Sequence, residues 1–186
     1  QKNRADDSSN TGSRHSSHEY LVFMDDDVIA HTGMIEAHMR THARFDAPVA
    51  VIGRLDWPAD KELSPFEEYA GKSGAVMASD LIEDPDDVHF KFCLHGNLSI
   101  SRSLFEKTGG YYQEYYLADT IFGHRLQKDF GVRLVYSEEA SADHNCCADF
   151  PLYVKRREIC GNTAVVFYLR HPELEGHLRV DWVKRK

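Results

Sequence analysis

The stretch Glu19-Tyr20-Leu21-Val22-Phe23-Met24-Asp25-Asp26-Asp27-Val28 decides how the rest of the chain is read. An apolar run rich in strand formers stops abruptly in three carboxylates, the pattern of a buried strand that delivers acids to one edge of a sheet. Adjacent like charges repel and are costly to desolvate, so a cation is expected beside them. Hard divalent cations such as Mg²⁺ or Mn²⁺ take carboxylate oxygens and commonly bring a phosphate-bearing ligand. A solvated acidic turn is the plainer alternative.

Working outward, residues 1–18 are polar and read as a loop or a surface helix that leads into the strand at 20–24. Thr32 is placed to cap a helix carrying Met34, Ile35, His38, Met39 and His42. His38 and His42 stand four residues apart and could clip a metal, although the helix lacks the glutamate of an HExxH site. Val49–Gly53 reads as a second strand. Ser64-Pro65-Phe66-Glu67 has the capping serine, first-turn proline and third-position glutamate of a helix start. The acidic segment 80–87, with Pro85, reads as a loop that could lie over a site.

Val88–Leu94 is expected as a third strand, followed by His95-Gly96-Asn97, where a glycine lets backbone approach a ligand or simply forms a bend. A short helix from Ser103 should stop at Gly109-Gly110. Tyr111, Tyr112, Tyr115 and Tyr116 form an aromatic cluster suited to sugar stacking or to core packing. A helix over about 117–129 ends at Gly131, and Val132–Tyr136 reads as a fourth strand. A long helix from Pro151 to about Arg170, interrupted at Gly161, should stop at His171-Pro172. The alternation of strands and helices predicts an α/β domain with a mostly parallel or mixed sheet, its ligands at the carboxyl ends of the strands. That rule gathers Asp25–Asp27, Gly96 and His144 on one edge.

Composition fits this picture. The 186 residues are 42% hydrophobic and 28% charged, enough for one domain with a real core. A net charge of −8 leaves no broad basic face and argues against a nucleic-acid partner. Basic residues gather only at Lys155-Arg156-Arg157 and Lys184-Arg185-Lys186, read as a solvated helix face and a terminus, with weak peripheral attraction to an anionic membrane as a lesser reading. No apolar run reaches transmembrane length. Cys93, Cys146, Cys147 and Cys160 form no CxxC pair, so a disulfide framework is not expected and a reducing cytoplasm is the expected compartment.

Three blocks together resemble family 2 glycosyltransferases of the GT-A fold. The first is Asn10-Thr11-Gly12 with Glu19 through Asp27, similar to the family's "RNxG … GEYLVFLDDD" and its DxD motif. The second runs from Gly96-Asn97-Leu98-Ser99-Ile100-Ser101-Arg102 through Gly109-Gly110-Tyr111. The third is Asp119-Thr120 through Gly123-His124-Arg125-Leu126, then Gly131 to Tyr136, similar to "EDTELGYRL…G.RLVY". No QxxRW motif follows, so the resemblance is to non-processive members. It implies a GT-A-like, Rossmann-type mixed sheet flanked by helices. Residues 1–172 would be the C-terminal part of that domain, residues 173–186 a tail, and the family's first nucleotide-binding strands would lie upstream of Gln1.

The resemblance also implies roles. Asp27 and His144 would hold Mn²⁺ or Mg²⁺, and Asp25, Asp26, Gly96 and Asn97 would contact a nucleotide-sugar donor. Asp119 would be the general base for inverting transfer to a hydroxyl of a glycan, lipid-linked or protein-linked acceptor. The pattern departs at Ala118, where the family has glutamate, and at Ile121, where it has an acid. Those departures motivate a second reading, a degenerate non-catalytic module. Two other chemistries fit parts of the sequence. Asp25-Asp26-Asp27-Val28 is close to the nucleophile motif of haloacid-dehalogenase-like phosphatases, and His144, Cys146, Cys147 and Cys160 could assemble a zinc site.

Overall fold

The computed structural model describes residues 4–112, 117–146 and 148–178. Tyr115 and Tyr116 of the aromatic cluster, Cys147 and the basic run at 184–186 lie outside the described residues. The polar start is a helix, α1 (Arg4–His15), followed by the decisive strand β1 (Tyr20–Met24). Leu21 and Phe23 are buried while Tyr20, Val22 and Met24 are not, the period-two pattern of a strand with one face in a core.

Four further strands complete a mixed sheet: β2 (Val28–Ala30), β3 (Val49–Asp56), β4 (Asn97–Ser101) and β5 (Arg133–His144), in the order β1-β4-β3-β5-β2. Only β3 and β5 run parallel; the other three pairings are antiparallel. β5 is twelve residues long and follows β3 from Val49↔Arg133 to Asp56↔Asp143, across a register shift at Gly53/Arg54. The sequence reading ended this strand at Tyr136 and did not foresee β2. Both extensions matter, because Val28 pairs with His144 and so closes the acidic turn against the end of β5.

Helix α2 (Met34–His42) covers one face, burying Met34 and Ala37 against Leu55, Ala140 and Ala142. The other face carries the main core, where α4 (Arg102–Thr108), α5 (Ala118–Phe130) and α6 (Phe150–Arg170) pack through Phe105, Phe122 and Phe167. Phe122 is fully buried, with the Tyr111 ring 4.5 Å and the Phe105 ring 5.6 Å from its own. The helix signals are physically sound. Ser64 and Glu67 form a reciprocal capping box for α3 (Pro65–Lys72), and Gly109 and Gly131 end α4 and α5 in the left-handed conformation.

Several local expectations are corrected. Thr32 caps nothing; Gly33, at φ 85°, is the N-cap of α2. α6 runs through Gly161 without interruption. Residues 88–94 are not a strand but a chain segment with a 3₁₀ turn at Phe90–Phe92. Their alternating hydrophobics are buried, yet Gln127 of α5 takes the backbone partners a ladder would use, accepting from Phe90 N at 3.1 Å and donating to Val88 O at 2.9 Å.

His38 and His42 are not a surface metal clip. Both are buried and belong to one directed chain of hydrogen bonds. Asn97 Nδ2 donates to Arg54 O and Ala140 O, which turns its Oδ1 toward His38 Nε2 at 2.8 Å. His38 must therefore donate from Nε2, so its Nδ1 accepts from Ser99 Oγ at 2.8 Å, and Ser99 Oγ accepts from His42 Nε2 at 2.9 Å. Burial, then the neighbouring His38, lowers the His42 pKa to about 4, and burial also lowers that of His38. The unfolded chain binds protons at these rings near pH 6.5 and the folded chain refuses them, so their contribution to stability is complete above that pH. It is lost as pH falls toward 4. His42→Gln keeps a donor for Ser99 but cannot charge. Its melting temperature is expected to fall less than that of the parent between about pH 7 and pH 5, as followed by circular dichroism.

Candidate functional site

Each acidic or basic group of interest is presented by the end of an element. β1 terminates at Met24, and Asp25–Asp27 form a turn in which Val28 N donates to Asp25 O at 3.2 Å. His144 is the last residue of β5, and Asn145 N donates to Asp27 O at 2.8 Å, tying the acidic turn to it. His95 and Gly96 precede β4, Asp119 lies in the first turn of α5, and Arg156 and Arg157 project from α6. Apart from Gly96, which is buried behind Asp25, these groups line one cleft of about 510 Å³ together with Gly74, Ala75, Val76 and Ala78 after α3.

Asp25, Asp27 and His144 each offer a ligand atom, and the three atoms lie within 4.8 Å of one another. His144 Nε2 stands 3.2 Å from Asp27 Oδ1, while its Nδ1 is buried with no hydrogen-bond partner among the described residues. Two carboxylate oxygens and one imidazole nitrogen, beside open cleft, suit a divalent ion that keeps several waters, as Mn²⁺ and Mg²⁺ do. Gly96 sits directly behind Asp25; a Cβ there would lie 2.8 Å from Asp25 Oδ2, so any side chain would displace the carboxylate. Asp26 is exposed on the cleft rim.

Asn97 does not line the cleft. Its side chain is turned into the sheet and fully used by His38, Arg54 and Ala140, so its polar ends are withheld from any donor. The neighbouring His95 lines the cleft. His95 Nε2 lies 3.0 Å from Asp25 Oδ1, and its Nδ1 lies 3.9 Å from Asp119 Oδ2. Burial alone would lower the His95 pKa, but hydrogen bonds and charges from Asp119 and Asp25 outweigh it and raise the value to about 10. In turn, the His95 hydrogen bond lowers the Asp25 pKa against the opposing effect of burial, with His144 and Arg156 adding to the lowering. Asp119 also accepts from Thr120 N at 2.7 Å.

Lys155, Arg156 and Arg157 are exposed, as the sequence reading of a solvated face expects, and Arg156 and Arg157 also border the cleft. No helix among the described residues is long and apolar enough to cross a membrane. The acidic segment 80–87 does not cover the cleft; Asp86 pairs with Arg44 at 2.8 Å. Among the described residues, Cys146 and Cys160 line the cleft but do not join His144 in a ligand cluster.

The sequence matches no protein-family model and no curated protein. Among solved structures, the chain is similar to a mannosyltransferase from Pyrobaculum calidifontis in complex with GDP-Man and Mn²⁺, with a TM-score of 0.55 and 16% identity over 94% of this chain and 47% of that one. A second similar structure is a mycobacterial protein, with a TM-score of 0.50 and 16% identity over 82% of this chain and 47% of that chain. This chain thus spans about half the length of the structures it matches. The fold is a partial GT-A glycosyltransferase fold, and neither likeness supports a phosphatase.

If the triad is a cation site, Mn²⁺ titrated calorimetrically into the metal-stripped chain binds once per molecule. Asp27→Ala and His144→Ala are each expected to weaken that binding at least about tenfold. Binding unchanged in both variants would remove the site.

Proposed function

We propose that this chain carries the reacting half of a metal-dependent, family 2-type glycosyltransferase, which moves a sugar from a nucleoside-diphosphate sugar to an acceptor hydroxyl with inversion. The observation that carries the reading is the meeting of Asp25, Asp27 and His144 with Asp119 in one cleft. The Mn²⁺- and GDP-Man-bound mannosyltransferase with the same partial fold supports the same class of donor.

The residues divide the work as follows. Asp27 and His144, with Asp25 beside them, would hold the cation. That ion, when bound, neutralises the charge developing on the departing diphosphate. Arg156 and Arg157 face the same space and would bind the phosphates from the α6 wall. Gly96 leaves room for the Asp25 carboxylate to point at the donor. Asp119, as an anion, would accept the proton of the attacking hydroxyl. His95 is a positioning residue: it spans Asp25 and Asp119, screens them from each other and fixes the spacing between the donor side and the base. The acceptor would be a glycan or a lipid-linked hydroxyl.

One observation favours the alternative of a non-catalytic module. Ala118, in the place of the family's glutamate, is buried, as is Ile121, so no second carboxylate flanks Asp119 on this turn of α5. Activity decides between the two. With a panel of nucleoside-diphosphate sugars and Mn²⁺, the chain should release nucleoside diphosphate, and chelation should abolish the release. Asp119→Asn should lower turnover by roughly 10²–10⁴-fold while donor affinity stays within about twofold. Equal loss of turnover and donor binding would reject Asp119 as the base. No metal-dependent turnover and no donor binding would favour the non-catalytic module.

A further inference from the structure

Outside the cleft, histidines gather where α5 meets the C-terminal end of α6. His124 of α5, His171 at the end of α6 and Glu173 in the following 3₁₀ turn each offer a ligand atom, and the three atoms lie within 4.8 Å of one another. The His124 and His171 rings are 5.0 Å apart, inclined at 73°. Phe167 packs edge-on against both, and Phe90 closes the other side of His124.

His124 is only 5% exposed, and its Nδ1 is sealed from solvent with no hydrogen-bond partner among the described residues. A buried imidazole nitrogen without a partner is costly, because it gives up hydration for nothing. Nothing in the proposed transfer chemistry uses this ring. We propose that His124, His171 and Glu173 form a binding site for a zinc-type divalent cation, which fastens the segment Pro172–Leu174 to α5.

The donor set selects the ion. Two imidazoles and one carboxylate suit Zn²⁺ or Co²⁺, whereas the acid-rich, open triad of the cleft suits Mn²⁺ or Mg²⁺. Zinc ligands in tetrahedral arrangement stand about 3.3 Å apart, so atoms that lie within 4.8 Å of one another need to close by at most about 1.5 Å. Burial first, then the neighbouring His171 and Lys128, keeps His124 below its usual pKa, and burial with Lys128 does the same for His171. A lowered value favours the neutral imidazole that a metal binds. Lys128 pairs with Glu173, and His171 Nδ1 lies 3.5 Å from the same carboxylate. A cation seated among the three ligands displaces the ammonium and gives the buried ring a partner that the described residues do not supply.

The test uses the Asp27→Ala chain, so that zinc cannot report on the cleft. Zn²⁺ titrated into this metal-stripped chain is expected to bind once per molecule. His171→Ala and Glu173→Gln each weaken binding at least about tenfold, and Lys128→Gln, by removing the competing ammonium, tightens it several-fold. Glu173 and Lys128 are about half exposed, so these variants decide the matter even where His171→Ala fails to fold. No zinc binding by the parent, or equal affinity in Glu173→Gln, Lys128→Gln and the parent, overturns the site.

Discussion

The cleft concentrates negative charge, and the arrangement around it depends on the cation that His95 places between Asp25 and Asp119. Two like charges about 4 Å apart near a protein surface repel by roughly 4 kcal/mol. Four carboxylates, Asp25, Asp26, Asp27 and Asp119, line this space. A divalent ion can compensate the Asp25–Asp27 turn but does nothing for the ground state of the chain before it arrives. His95 does, from within the fold, and it can do so only because β4 begins at Asn97. Had the ladder started two residues earlier, His95 would alternate with its neighbours across the sheet rather than turn into the cleft.

The positions of His144 and the acidic turn rest in the same way on a buried polar chain. Asn97, His38, Ser99 and His42 tie α2 to β4, and through Arg54 O and Ala140 O to β3 and β5. These anchors sit where the β3–β5 pairing shifts register between Gly53 and Arg54. A slip of one residue there would turn His144 to the opposite face and leave Val28 without its partner. Buried polar groups that can satisfy one another in only one arrangement make such slips expensive. The network that withholds Asn97 from the cleft is thus what aims His144 into it.

This explains which parts of the molecule could be read from sequence. Strand β1 and its acids, the Ser64 capping box, the glycine stops at 109 and 131, and Asp119 in a first turn are local signals, each set by neighbours within a few residues. The mixed sheet followed from their order. What escaped depends on distant partners. Residues 88–94 alternate like a strand, yet Gln127, some forty residues on, takes their backbone groups. The run Lys155-Arg156-Arg157 is an exposed helix face, as read, but that it borders the acidic cleft follows only from how α6 packs. His95 offered one usable signal, its place beside Gly96 after an apolar segment, but its two acids come from elements 70 and 24 residues away.

Helix α5 joins the two halves of the functional reading. Gly123 lies against the 90–93 segment so closely that a Cβ would stand 2.4 Å from Cys93 Cβ and 2.9 Å from Phe90 O. That contact lets α5 settle onto the segment leading into His95, which brings Asp119 at the head of the helix within reach of the imidazole. The same closeness buries the next residue, His124, between Phe90 and Phe167, where it meets His171. A larger residue at 123 would lift the helix and loosen both contacts at once. The spacing of the proposed base from the proposed donor site and the packing of the histidine corner are therefore set by one absent side chain.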